Sequence, residues 1–453
     1  MHRVLFCILA ILPFLFAASH ASPAESDAPA PQTAFPLRVS DDHRHLVGAD
    51  GKPFLIVGDT AWSLIAQLDT GDIARYLDDR QKRGYNAIIV NLIEARFATN
   101  APKTKAGVAP FTQPRDFATP NPAYFDWAHQ CIAAANQRGI AVFLCPAYLG
   151  WDGGDEGFFS HIVESGSEKL RGYGRFIAKR FADLPNIVWM PGGDYSMPER
   201  DRWTVNELAA GIGEIDRTHL MTGHAGQKSP RDAFGEPDWL QIDNTYSYAP
   251  DLWRQLRRDA TREPRMPVFL SETIYEGEHS STPEQIRRQA WWAMLSGHCG
   301  QFFGNNPMWH FDGPGLFDTD VRWQAALDSE GSRDIARLGA LLREFPWQTL
   351  RPDFDGKIVI EPGDGTERIA AAVTKDQSLT LIYIPSTGGK PRGLKLAKEF
   401  AAHAGSGSTE ATWWNPTDGT RRDAGAPPFQ TPGDNGTGTN DWLLILEKEN
   451  GTR

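Results

Sequence analysis

Between Phe35 and Phe345, short apolar runs alternate with longer stretches of helical periodicity, and this alternation limits the fold more than any other feature of the chain. Strands separated by helices cannot pair as hairpins. They must lie parallel, with each helix crossing back over the sheet. The apolar runs are Phe54–Gly58, Ala87–Asn91, Ala141–Pro146, Ile187–Pro191, His219–Gly223, Leu240–Asn244, Val268–Glu272 and Gly300–Asn305. Helical patterns follow at Asp72–Gly84, Pro122–Arg138, Ser167–Ala182, Pro198–Arg217, Leu252–Ala260, Pro283–Leu295 and Val321–Glu344. Their ends are punctuated as helix ends should be: Thr70-Gly-Asp72 and Ser281-Thr282-Pro283 open two of them, and Gly84 and Gly139 close two. The pattern predicts an α/β fold, a (β/α)8 TIM barrel over residues 35–346. The competing doubly wound sheet normally carries a glycine-rich phosphate turn after its first strand. Here that place holds Gly58-Asp59-Thr60-Ala61-Trp62.

The pattern changes after Pro346. Strand-like runs at Lys357–Glu361, Ile369–Val373, Leu379–Pro385, Leu394–Leu396, Thr412–Asn415 and Trp442–Leu446 recur between glycine-containing turns. They predict a small all-β sandwich domain over residues 347–453. At the other end, His2-Arg3 precedes an apolar run from Val4 to Ala18, and Ser19-His20-Ala21 supplies small residues before a cleavage point. Residues 1–21 therefore predict a signal peptide, shorter than the roughly 20 apolar residues of a spanning helix. The Ala-, Pro- and Ser-rich stretch 22–34 predicts a flexible leader. The expected destination is the periplasm or the outside of the cell, with no membrane span after cleavage. Cys131, Cys145 and Cys299 have no disulfide-framework spacing and read as buried free thiols.

The net charge of −11 opposes a phosphate backbone, so nucleic acid is a poor partner. His43-Arg-His45 has no third ligand at recognisable spacing, and no His-Glu-x-x-His occurs, so no metal site or cofactor is read. No glycine-serine-glycine elbow points to acyl hydrolysis.

In barrels of this kind the active site lies at the carboxyl ends of the strands. The residues just past each run are Asp59 and Trp62, then Asn91 and Glu94, then Tyr148 and Trp151, then Asp194 and His224, then Asn244 and Tyr246, then Glu272 and Tyr275, and last Asn305, Trp309 and His310. Carboxylates, amides, imidazoles and aromatic rings are the lining expected of a carbohydrate site. The chain has 15 Trp, more than its core requires, and flat rings stack on sugar C–H faces. Two acids stand out. Asp194 ends Val188-Trp-Met-Pro-Gly-Gly-Asp194, and Glu272 ends the apolar run from Val268. They come from the fourth and seventh predicted strands, on opposite sides of an eight-strand ring. Glycoside hydrolysis needs two carboxyl groups flanking one sugar.

At these residues the chain resembles glycoside hydrolase family 140, the apiosidase-like barrels. The likeness spans about residues 35–450 and rests on Phe54-Leu-Ile-Val-Gly-Asp-Thr-Ala-Trp62, Gly84-Tyr-Asn-Ala87, Asn186-Ile-Val-Trp-Met-Pro-Gly-Gly-Asp194, Ser271-Glu272 and Gly300-Gln-Phe-Phe-Gly-Asn-Asn-Pro-Met-Trp309. Trp413-Trp-Asn-Pro-Thr-Asp-Gly419 is similar to the β domain that accompanies such barrels under a collagen-binding label, which carries no functional weight here. The resemblance implies a retaining, exo-acting enzyme that releases apiose from rhamnogalacturonan II, a pectin. It also implies Asp194 as acid/base and Glu272 as nucleophile, with an oligo- or polysaccharide as the partner. The alternatives are a related glycosidase, such as a furanosidase, acting on another plant or bacterial glycan, and a barrel that binds glycans without turning them over.

Overall fold

The computed structural model describes residues 34–388, 390–405 and 408–448. The predicted signal peptide, and the predicted leader up to residue 33, lie outside the described residues. The described residues all belong to one compact unit. Among the described residues no helix is long and apolar enough to cross a membrane.

Seven parallel strands form the barrel wall: β1 (Ile56–Thr60), β2 (Ala87–Asn91), β3 (Ala141–Cys145), β4 (Ile187–Trp189), β5 (Asp243–Tyr246), β6 (Val268–Glu272) and β7 (Gly300–Phe303). Their order is β4-β3-β2-β1-β7-β6-β5. The gap between β4 and β5 is filled by residues 220–224. Trp189 N–H donates to Leu220 O at 2.9 Å, and Thr222 N–H to Trp189 O at 2.9 Å. On the other side Gln241 N–H donates to Met221 O at 3.0 Å. This is the predicted strand His219–Gly223, and it closes the ring without being a regular strand. The physical reason is that side chains replace part of its backbone ladder. Thr222 Oγ1 donates to Ile242 O (2.8 Å), and Asn244 Nδ2 donates to Gly223 O (2.6 Å).

The strands follow the two-residue period of a curled sheet. Ile56, Ile89, Phe143, Val188, Ile242, Phe269 and Phe302 share one apolar cluster, while Leu55, Val57, Ile88, Val90, Val142 and Leu144 share another with the helices. Inside, the rings of Phe143, Phe269 and Phe302 lie 4.9–5.6 Å apart, centre to centre. Each such buried ring contributes about 2–3 kcal/mol. Together they plug the barrel below its carboxyl-end mouth. Outside, the helices pack much as their sequence ends suggest, with Asp69, Asn121 and Thr282 side chains capping three of them. The long pattern predicted over Val321–Glu344 is two helices, Trp323–Ala326 and Glu330–Arg343, parted where Ser329 caps the second. Cys131, Cys145 and Cys299 are buried free thiols.

After the barrel come β8 (Leu350–Pro352), β9 (Ala370–Thr374), β10 (Leu379–Ile384), β11 (Thr409–Trp414), β12 (Arg421–Asp423) and β13 (Trp442–Lys448). They form one antiparallel sheet in the order β8-β9-β10-β13-β11-β12. The predicted runs Lys357–Glu361 and Leu394–Leu396 are not ladder strands. They meet only at a bridge, Val359 to Leu396, in a layer that covers the outer face. Alternation along β10 and β13 decides the two faces. Leu381, Tyr383, Leu443 and Ile445 join the barrel's outer core, while Ile382, Ile384, Leu444 and Leu446 face the covering layer with Ile358, Leu394 and Phe429.

The barrel-facing side rests on helix Pro283–Leu295, where Trp291 stacks on Tyr383 at 5.9 Å. Arg287 of that helix is 2% exposed. Its guanidinium forks onto Asp441, Nε to Oδ2 at 2.8 Å and Nη2 to Oδ1 at 2.9 Å, and Nη1 reaches Asp334 at 2.9 Å. Tyr383 and Asn435 also donate to Asp441, at 3.0 and 2.8 Å. Removing one partner of such a buried network leaves the others charged and unpaired, at about 3–5 kcal/mol. Arg287→Met is accordingly expected to lower unfolding free energy by about that much in urea titrations. An effect below 1 kcal/mol would mean the two acids find other partners.

Candidate functional site

The irregular stave decides how the acids meet. At the end of β4 the chain turns through Pro191-Gly192-Gly193. Gly192 adopts φ 125°, and a Cβ there would lie 1.9 Å from His224 O, so only glycine lets the two segments pass. Gly193 N–H donates to His224 O at 2.9 Å. That approach brings Asp194 beside the His224 imidazole, with Asp194 Oδ1 3.1 Å from His224 Nε2. The distance is short, but the alignment is not that of a hydrogen bond. From the other side comes Glu272, the last residue of β6, opposite an irregularity in β5 between Thr245 and Tyr246. A bulge of this kind re-aims side chains at a strand's end. Glu272 Oε2 lies 3.7 Å from the same Nε2.

Carboxylate oxygens of Asp194 and Glu272 thus lie within 4.8 Å of each other, with His224 between them. The spacing is also one at which the three side chains could hold a metal ion. Phenols hold the remaining oxygens. Tyr148 donates to Asp194 Oδ2 at 2.8 Å, and Tyr248 donates to Glu272 Oε1 at 3.0 Å. Tyr275 also bonds to Glu272, and its oxygen accepts from the Trp62 indole at 3.1 Å. The imidazole stacks on Tyr246 (5.7 Å, 10° between planes) and leans on Trp62 at 5.1 Å. Burial lifts the Glu272 carboxyl well above the usual range, and the negative charge of Asp194 adds to that push. The phenol donors oppose it by favouring the ionised form.

These groups line a cavity of about 70 Å³ with Asn91, Phe97, Glu278, Trp309 and Leu316. Of the residues expected from the sequence, Asp194, Glu272, Trp62, Tyr148, His224, Tyr275 and Trp309 meet there, as does Asn91. Tyr246 stands behind His224. The others serve the scaffold instead. Asp59 is fully buried against Arg80 (3.3 Å) and Tyr76 (2.8 Å), and burial raises its carboxyl to about 6. Glu94 accepts from Ser63, from Asn91 and from the N–H groups of Arg96 and Phe97, so it fixes the turn after β2. Asn244 is consumed by the closing stave, and Asn305 donates to Glu276 at 2.8 Å. His310 Nε2 meets Asn306 Oδ1 at 2.8 Å. Trp151 sits on a loop outside the cavity and is 50% exposed.

Phe97, Glu278 and Leu316 were missed because they lie several residues past a strand end, on loops no strand pattern reaches, and Tyr248 because the sequence pattern ends its strand at Asn244 rather than Tyr246. Tyr248 had one signal, its two-residue spacing from Tyr246. A larger cleft of about 950 Å³ at the edge of the C-terminal sheet is lined by Glu410, Arg421, Arg422 and Asp423, and by none of the groups above.

Residues 40–349 match the family profile described as the apiosidase-like catalytic domain. The chain belongs to the apiosidase-like family. Among solved structures it is similar to a Bacteroides vulgatus protein described as glycoside hydrolase family 5, with 25% identity over 91% of this chain and 93% of that one and a TM-score of 0.76. A second structure, described as a glycoside hydrolase, shares 26% identity over 92% and 97% of the two chains, also at TM-score 0.76. A third Bacteroides vulgatus structure, at 16% identity and TM-score 0.67 over 92% and 83%, shares the fold. No curated protein sequence matches the chain. Family and neighbours together support glycosidase activity in this apiosidase-like barrel.

A hydrogen bond to a charged group is worth about 1.5–3 kcal/mol. Tyr248→Phe, which removes one phenol donor from Glu272, is therefore expected to lower kcat/KM by about 10- to 100-fold. The melting temperature should move little. A large fall in melting temperature with unchanged kcat/KM would instead make Tyr248 a packing residue.

Proposed function

We propose that this apiosidase-like protein is an exported, retaining exo-glycoside hydrolase, with Asp194 as acid/base and Glu272 as nucleophile. The observation that carries the reading is the pair of carboxyl groups converging on one imidazole in a cavity walled by aromatic rings. Retaining enzymes hold their carboxyls about 5–5.5 Å apart, and inverting ones about 6.5–9.5 Å. The approach within 4.8 Å favours the first class. Exo action is what the family resemblance implies.

The reaction runs in two displacements. The Asp194 carboxyl gives its proton to the glycosidic oxygen as that bond breaks, and the Glu272 carboxylate attacks the anomeric carbon, forming an ester. Asp194, now ionised, takes a proton from water as that water attacks the same carbon and frees Glu272. The pair shares one proton through this cycle: burial and the charge of Asp194 favour it on Glu272, and the Tyr248 and Tyr275 donors oppose that by favouring ionised Glu272. His224 lies between the two acids, its Nε2 3.1 Å from Asp194 and 3.7 Å from Glu272. The family resemblance points to apiose released from pectic side chains as the substrate, and the leader sequence to a periplasmic or extracellular site of action.

With p-nitrophenyl glycosides and pectic oligosaccharides as substrates, Glu272→Gln and Asp194→Asn should each cost about 10²–10⁴ in kcat. The first-formed sugar should keep its anomeric configuration by NMR, and chelators should leave the rate unchanged. A few-fold loss, or an inverted product, rejects the assigned roles. Because the second proton of the pair is held well above the ordinary glutamate value of about 4.3, the alkaline limb of the kcat/KM profile should also lie well above it. An alkaline limb at the ordinary value would separate the two titrations.

A further inference from the structure

The catalytic cavity holds a third carboxyl group that the two-displacement scheme does not use. Glu278 lies on the loop after β6, past Tyr275, and is 7% exposed. One oxygen, Oε1, accepts from the Trp309 indole N–H at 2.8 Å. No other side chain among the described residues donates to this carboxyl, so its second oxygen has no side-chain donor, and Glu278 is one of the residues that line the cavity. The loop is held in that shape against resistance. His279 and Ser280 both adopt positive φ, 49° and 55°, a conformation that is strained for a non-glycine residue. Ser281 fastens it by donating to Tyr275 O at 2.8 Å, and its own N–H donates to Glu278 O at 2.8 Å. Strain maintained beside a cavity marks a placement that the fold enforces.

The charge balance of the wall is equally specific. Asp194, Glu272 and Glu278 line it, and no Lys or Arg does. Burial raises the Glu278 carboxyl to about 7, and its charge contributes to the upward push on Glu272. A ligand bearing a carboxylate or phosphate on the sugar held here would meet three acids without a counter-charge. Sugar hydroxyls are the complementary chemistry. A carboxylate with one oxygen clamped by an indole and the other free is a fixed acceptor for one or two O–H groups.

We propose that Glu278 selects the glycone: its second oxygen binds hydroxyls of a neutral sugar, and the acidic wall, which carries no Lys or Arg, turns away uronic acid and phosphorylated sugars at the same position. The inference rests on the glycosidase reading of this cavity and adds the class of sugar it admits.

The test separates the two. Binding is read by saturation-transfer NMR on the Glu272→Gln protein, with D-ribose, L-arabinose, D-xylose and D-galactose as neutral probes and D-galacturonate and D-glucuronate as charged ones. At least one neutral sugar should bind and neither uronate should. Adding Glu278→Ala should weaken the bound neutral sugar by 10-fold or more. Glu278→Gln, nearly the same shape and still an acceptor, should recover most of that loss. Uronates binding as well as neutral sugars, no neutral sugar binding, or a less than two-fold effect of Glu278→Ala would each overturn the inference. Turnover of p-nitrophenyl glycosides by the otherwise unaltered chain is followed in parallel. Activity with KM unchanged in Glu278→Ala removes Glu278 from selection and leaves the hydrolase standing. Selective sugar binding without any turnover removes the hydrolase and leaves the selection.

Discussion

Two carboxyl side chains can share one small buried space only if the scaffold holds them there, because their charges repel and burial opposes ionisation. In this barrel the holding begins with the way the ring closes. Residues 220–224 pass between β4 and β5 with the His224 carbonyl pressed against Gly192, where a Cβ would sit 1.9 Å away. That contact fixes the turn carrying Asp194 relative to His224. Since the same segment is tied to β5 through Thr222 and Asn244, it also fixes His224 relative to the strand next to β6. The imidazole stands where both acids come near it. A regular eighth strand would spend its backbone groups on the ladder. An irregular one transfers part of the ladder to side chains and leaves the chain free to turn His224 into the mouth.

The electrostatics of the site follow from its lack of fixed cations. An ordinary buried acid here is paired with an arginine, as Asp59 is with Arg80 and Asp441 with Arg287. A salt bridge of that kind would hold a catalytic carboxylate ionised and occupied. The cavity uses phenols instead. Tyr148, Tyr248 and Tyr275 donate to the acids without neutralising them, so the pair can hold, give and regain a proton through a cycle. Indoles do similar service at Tyr275 and Glu278. In the proposed reading, the same absence of Lys and Arg that leaves the acids free to exchange a proton also bears on what kind of sugar can lie among them.

Much of this was legible in the sequence, for reasons that differ residue by residue. The barrel was, because strands enclosed on both faces must be apolar and helices must carry caps. Asp194 and Glu272 were, because each is a charge at the end of an apolar run, a position that burial would penalise without a use. Strand-end reading failed where a polar residue past a strand had found a scaffold role. Asp59, Glu94, Asn244, Asn305 and His310 occupy the same sequence positions as true lining residues, and only three-dimensional pairing separates them. It failed in the other direction at Tyr248, Glu278 and Leu316; the loops of the last two are shaped by single side-chain-to-backbone bonds, Ser281 on Tyr275 and Asn306 on Phe317. No period or spacing along the chain encodes such contacts.

The C-terminal sheet enters this argument through a single helix. Pro283–Leu295 follows the loop that carries Tyr275 and Glu278, and its outer side is covered by β9 and β10. The loop is therefore gripped at both ends, by β6 within the barrel and by a helix whose Arg287 is locked to Asp441. A helix on the rim of a lone barrel would have one face packed and one in water, and its N-terminal turn would be free to shift. Here Thr282 caps that turn, and Arg287 lies little more than one helical turn beyond it, so movement of the helix start would have to break the fork onto Asp441. The β module need touch no sugar to matter for the chemistry. It packs against the first turns of the helix that directly follows the loop carrying Tyr275 and Glu278, and ties that helix start to Asp441.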